Sequence, residues 1–165
     1  MIRFQLDRML QTLTQHRLEF ILVGGVAGAL QGAPIVTQDV DIVYRIEEAN
    51  IARLKAALTE LNAVARGDSR RLAFNETHLR TTGHKLAMTD AGPLDVLGSI
   101  NDGLLFEDLI DSSDLLEVAG VAVRVLSLER LVELKRQLAR PKDLAVLPVL
   151  EATLRERRAL ERDGK

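Results

Sequence analysis

Cysteine and tryptophan are absent from this chain, tyrosine occurs once and phenylalanine four times. Without cysteine there is no disulfide, no thiolate zinc site and no thiol nucleophile, and the composition suits a reducing compartment. So few aromatic rings leave no evident platform for stacking single-stranded bases. Neither sign of charge prevails: 22 Lys+Arg stand against 24 Asp+Glu, a net charge of -2, so total charge announces neither a nucleic-acid nor a membrane partner. The longest stretch without a charged or strongly polar residue, 20–30, is well short of the ~20 residues that cross a bilayer. The first ten residues, MIRFQLDRML, mix charge with apolar side chains and lack the continuous apolar core of a signal peptide. A cytoplasmic protein with no membrane association is expected. His16, His78 and His84 are scattered without metal-ligand spacing, which favours surface or local hydrogen-bonding roles.

What is present is a chain of 165 residues, 47% of them hydrophobic, enough for one domain with its own core and a helical appendage. Phe4, Met9, Leu10 and Leu13 recur at helical spacing, and a strand, EFILVG, follows. GGVAGALQGA then reads as a turn into a short helix that Gly32 and Pro34 stop. Residues 38–44 alternate acid and apolar, which is strand spacing. Ile51, Leu54, Ala57, Leu58 and Leu61 predict a helix with acids in its first turn, where the dipole favours them. Four short strands are expected from Arg66 to Leu97, at RRLAFN, HLRTTG, KLAMTD and PLDVLG, and a hairpin turning near Gly120. From Ser127 to about Arg158 the pattern is helical with a break at Pro141. The composite is α/β: a mixed β-sheet with flanking helices, a core over 1–126 and a C-terminal helical extension over 127–165.

The chemistry concentrates in FILVGGVAGALQGAPIVTQDVDIVY, residues 20–44. In a strand, residues two apart share a face, so Asp39 and Asp41 project together while Val40 and Ile42 point to the other side. Like charges so placed raise each other's pKa unless something positive lies between them. Hard oxygen ligands with no cysteine or paired histidine nearby suit Mg²⁺ or Mn²⁺ rather than zinc, and Mg²⁺ commonly completes its shell with substrate phosphates. Gly24 and Gly25 stand where a strand runs into a helix, and permit close approach of a phosphate to free N–H groups. Their spacing with Gly28 does not match the G-x-G-x-x-G of dinucleotide-binding modules.

Paired glycines, a D-x-D at this interval, and a third acid between apolar residues resemble the nucleotidyltransferase superfamily of the polymerase-beta type. The segments that carry the resemblance are FILVGG, TQDVDIV and LDVLG, with Asp95 between Leu94 and Val96. LSLERLVELKRQLARPKDLAVLPVL is similar to the C-terminal helices of small bacterial members, among them abortive-infection toxins and relatives of antibiotic-modifying enzymes. The resemblance implies a nucleotidyltransferase fold and transfer of a nucleoside monophosphate from a nucleoside triphosphate to an acceptor hydroxyl, with release of pyrophosphate. It implies Mg²⁺ or Mn²⁺ on Asp39, Asp41 and Asp95, with Asp95 also taking the acceptor's proton. Gly24, Gly25 and Thr37 would meet the nucleotide, as would Lys135, Arg140 and Lys142, although those three also suit the solvated face of a helix. The acceptor stays open between RNA such as a tRNA end, a protein and a small molecule, and a toxin would bring a cognate antitoxin as partner. A chain that keeps the fold and binds nucleotide or a partner without catalysing is the alternative. Basic positions at Arg66, Arg70, Arg71, Arg80 and Lys85 would serve RNA if one face bore them. Two departures stand out: Val26 where small members often carry Ser, and Ile35 where many carry a basic residue.

Overall fold

The computed structural model describes residues 4–164. In chain order the elements are α1 (Leu6–Gln15), β1 (Phe20–Val23), α2 (Gly24–Leu30), β2 (Val40–Tyr44), α3 (Glu48–Glu60), β3 (Val64–Ala65), α4 (Glu76–Leu79), β4 (His84–Thr89) and β5 (Gly92–Leu97). There follow α5 (Phe106–Leu109), β6 (Ser113–Val118), β7 (Val121–Leu126), α6 (Leu128–Leu138) and α7 (Pro141–Asp163). The seven strands form one sheet in the order β3-β4-β5-β2-β1-β7-β6. It is mixed: β1 runs parallel to β7 and β2 parallel to β5, while β1–β2, β3–β4, β4–β5 and β6–β7 are antiparallel.

The central strands are nearly continuous apolar runs, as strands covered on both sides must be. Ile21, Leu22, Val40, Ile42, Val43, Leu94 and Val96 are all fully buried, in one cluster with Met9, Leu10 and Leu13 of α1 and Ile51 and Leu54 of α3. Helices α1 and α2 pack on β7, α2 and α5 on β1, and α6 on α2 and α7. A second, smaller cluster of Ala33, Leu128, Val132, Leu150 and Leu154 joins the α6–α7 pair to the segment after α2.

Several sequence expectations need correction. RRLAFN, 70–75, is not a strand. It runs irregularly over the surface, tied by Ala65 N–H to the Leu72 carbonyl at 2.8 Å and by Lys55 Nζ to the Phe74 carbonyl at 2.6 Å. HLRTTG, 78–83, is not a strand either, because Asn75 Oδ1 accepts from the His78 N–H at 2.9 Å and caps a turn of helix, α4. Besides β5, the strand beside β4 is the two-residue β3, too short to show a period. Asp39 does not lie within a strand: it sits on the bend just before β2. The hairpin at Ala119 and Gly120 forms as expected, with both residues at positive φ.

The helical break falls two residues earlier than Pro141. Ala139, at φ 50°, ends α6, and Pro141 opens α7, where a missing N–H costs nothing. Asp143 fixes this corner. Its side chain is fully buried and accepts from Lys135 Nζ at 2.8 Å, from Arg140 Nε at 2.6 Å and from the Arg140 N–H at 3.2 Å. The bond from Arg140 chiefly, with Lys135 beside it, holds the Asp143 carboxyl well below the usual carboxylate range. A depressed carboxylate pKa stabilises the fold above the ordinary value near 4, and that stabilisation is lost as pH falls below it. Asp143→Asn should therefore cost about 3 kcal/mol at pH 7, by leaving two cations around a neutral amide. Its stability measured by denaturant titration should also fall less steeply than wild type between about pH 4 and pH 2.

Candidate active site

The strand register draws one row of side chains across the middle of the sheet. Leu86 of β4 pairs with Asp95 of β5, Asp95 with Asp41 of β2, and Asp41 with Val23 of β1. Registered neighbours point to the same face, and here that face is open: Leu86 is 45% exposed and His84 is exposed, while Lys85 and Ala87 on the other face are buried. Asp39 reaches the same spot from the bend before β2. One carboxylate oxygen from each of Asp39, Asp41 and Asp95 lies within 4.8 Å of the other two.

Three like charges this close must be paired or partly neutralised. Burial, then the hydrogen bond and charge of Asp95, then the charge of Asp39, push the Asp41 carboxyl up to about 7, against the opposing pull of Lys135. Asp95 is paired directly: Arg66 Nη2 donates to its Oδ1 at 2.5 Å. Thr37 Oγ1 donates to the Asp39 carbonyl at 3.0 Å and to Asp39 Oδ1 at 3.2 Å, which steadies the bend.

The glycines serve this crowding as well as the entrance. Gly24 opens α2 at φ +67°, and a Cβ there would overlap the Asp41 carboxylate. A side chain at Gly24 would thus displace Asp41 before it met any ligand. A Cβ on Gly25 would press on Thr37 at 3.3 Å. Beyond them opens a cleft of about 500 Å³, bordered by Gly24, Gly25, Asp41 and Asp95 on the sheet side and by Lys135, Arg140 and Lys142 on the helical side. Apolar Leu97, Ile100 and Leu134 line it too, as do polar His84 and Asn101.

Of the nine residues singled out from sequence, seven border this cleft. Asp39 joins through the carboxylate cluster, and Thr37 faces Asp39. Lys135 is half-buried and Arg140 exposed, and both pair with buried Asp143. The two departures are packing positions. Val26 is buried in the main core, and Ile35 packs against the α6–α7 cluster. Of the other basic positions, Arg70 pairs with Asp68, Arg80 with Glu48 and Glu76, and Lys85 is buried, donating to the Tyr44 hydroxyl at 2.8 Å. Sequence reasoning missed Asp143 and the pairing of Arg66. Asp143 had a readable signal, an acid two residues after a helix-opening proline; Arg66 had none, since 29 residues separate it from Asp95.

A mixed sheet with three carboxylates gathered beside a Gly-Gly turn defines a nucleotidyltransferase, and solved structures share the fold. A Thermotoga maritima protein described as a nucleotidyltransferase aligns over 88% of this chain and 94% of its own, with TM-score 0.54 and 20% identity. ANT(2'')-Ia in complex with adenylyl-2''-tobramycin aligns over 95% of both chains, with TM-score 0.56 and 16% identity. The solution structure of the antibiotic-resistance factor ANT(2'')-Ia aligns over 96% of this chain and 95% of its own, with TM-score 0.53 and 18% identity. No curated protein sequence matches the chain. The model of the aminoglycoside-2''-adenylyltransferase family matches residues 5–143, and the chain belongs to that family. No helix among the described residues is long and apolar enough to cross a membrane.

The charge state of Asp41 gives a direct test. A carboxyl whose pKa is raised on folding destabilises the fold increasingly as pH climbs from about 4 to about 7. In EDTA at pH 8, Asp41→Asn should therefore be more stable than wild type by about 1–2 kcal/mol, given solvent screening in the open cleft, and the gain should vanish near pH 4. In millimolar Mg²⁺ the order should invert, because wild type alone would gain stability from the cation. Thermal melts with and without the metal read both effects.

Proposed function

We propose that this chain transfers AMP from ATP to a hydroxyl of a small amino-sugar-like acceptor and releases pyrophosphate. The observation that carries the reading is the row that brings Asp41 and Asp95 together with Asp39 beside a glycine turn and a basic wall. The family's name and the adenylylated tobramycin held by one structural neighbour favour ATP as donor and an amino-sugar hydroxyl as acceptor. No observation favours RNA or a cognate antitoxin as partner.

Three carboxylates with no sulfur or imidazole among them fit hard divalent cations such as Mg²⁺ or Mn²⁺. Asp39 and Asp41 would hold them, with Asp95 sharing one. Bound there, the cations would neutralise phosphate charge and stabilise the attacking and leaving oxygens. Asp95 takes the proton of the acceptor hydroxyl as its oxygen attacks the α-phosphorus, and the bond from that phosphorus to the bridging oxygen of pyrophosphate breaks. Gly24 and Gly25 leave room for the outer phosphates, with Thr37 steadying the turn behind them. Lys135, Arg140 and Lys142 meet phosphate charge from the opposite wall, so the core over 1–126 supplies the carboxylates and the extension over 127–165 supplies the cations.

The test is incubation of the protein with α-labelled ATP, Mg²⁺ and tobramycin or related aminoglycosides, with chromatography of labelled product. Labelled acceptor and pyrophosphate in equal amounts are expected from wild type. Asp95→Asn should retain most ATP binding and lose turnover by at least about a hundredfold, as loss of a general base does. ATP binding without transfer to any acceptor, or transfer unaffected by Asp95→Asn, would overturn the assignment.

A further inference from the structure

The third carboxylate carries a partner that this chemistry does not use. Arg66 lies just past β3, and its backbone N–H donates to the Leu86 carbonyl of β4 at 2.9 Å. Its guanidinium reaches over the same strand, donating to the Ala87 carbonyl at 3.0 Å and to Asp95 Oδ1 at 2.5 Å. The side chain is thus anchored at both ends to the strand that flanks Asp95. Its Nε is buried without an acceptor. A guanidinium that forgoes a hydrogen bond in order to sit here is held by the negative charge of the carboxylates. The other cation acting on the cluster, Lys135, is itself tied to Asp143.

We propose that Arg66 is a positioning residue for Asp95 and a built-in competitor for the cation. By engaging Oδ1 it fixes the rotation of the carboxylate and leaves Oδ2 for cation and acceptor. By standing beside the triad as a fixed positive charge it keeps divalent cations weakly bound until nucleotide phosphates add negative charge. The inference rests on the reading of the triad as a cation site. At the dielectric of water, which so open a cleft approaches, a unit charge about 5 Å from a divalent cation weakens its binding by roughly tenfold. Lysine would preserve the charge and lose the planar fork.

Mn²⁺ titration without nucleotide, followed by the electron paramagnetic resonance signal of the free ion, tests this on wild type, Arg66→Gln, Arg66→Lys and Asp41→Asn. Arg66→Gln should bind Mn²⁺ about tenfold more tightly than wild type, whereas Arg66→Lys should stay within about twofold. Arg66→Gln should also melt below wild type in EDTA and recover with Mn²⁺, a pattern that simple loss of a structural contact does not produce. Equal or weaker Mn²⁺ binding by a folded Arg66→Gln would overturn the role of Arg66. Should Asp41→Asn bind Mn²⁺ as well as wild type, the triad reading itself would fall, and this inference with it.

Discussion

Mutual repulsion among Asp39, Asp41 and Asp95 is the constraint around which the rest of the molecule is arranged. Two unit charges about 5 Å apart at an effective dielectric of ~20 repel by on the order of 3 kcal/mol, a large fraction of a domain's net stability. A sheet interior otherwise built from valine, isoleucine and leucine has no structural need for that expense. The compensations are distributed. Arg66 pairs with Asp95, Lys135 acts on Asp41 from across the cleft, and the Thr37 hydroxyl holds Asp39. What they leave is a surplus of negative charge facing an open cavity, with the Asp41 carboxyl pushed up to about 7. Such a surplus is what the cations proposed for this site would neutralise.

The fold supplies the precision. Because β2 and β5 run parallel and in register, Asp41 and Asp95 are direct neighbours, and because β1 pairs antiparallel to β2, the Gly24–Gly25 turn arrives at the same end of the same row. Gly24 is needed twice there, once for its φ of +67° and once because a Cβ would overlap the Asp41 carboxylate. The opposite wall is organised by one buried acid. Asp143 caps α7 and gathers Lys135 and Arg140, so two of the cations bordering the cleft are held by the helix corner. Stability and the proposed function thus share residues at both walls.

The site was more legible in the sequence than the sheet edge was. Asp39, Asp41 and the glycines lie within eighteen residues, where strand period and turn chemistry act locally, and they could be read together. Asp95 needed the resemblance, since its partner in space is 54 residues away in sequence and only register makes them neighbours. The errors at 70–75 and 78–83 share a cause. Alternation over five or six residues is weak evidence when a capping asparagine, here Asn75, offers the backbone a helical turn instead. Residues with no local signature, Arg66 above all, became visible only when tertiary structure paired them.

Anomalous scattering from crystals grown with Mn²⁺ and a non-hydrolysable ATP analogue tests the central claim most directly. Manganese within coordination distance of Asp39 and Asp41, with the triphosphate lying between the Gly24–Gly25 turn and Lys135, Arg140 and Lys142, is the predicted result. Nucleotide bound elsewhere, or bound in this cleft with no manganese on the carboxylates, would contradict it.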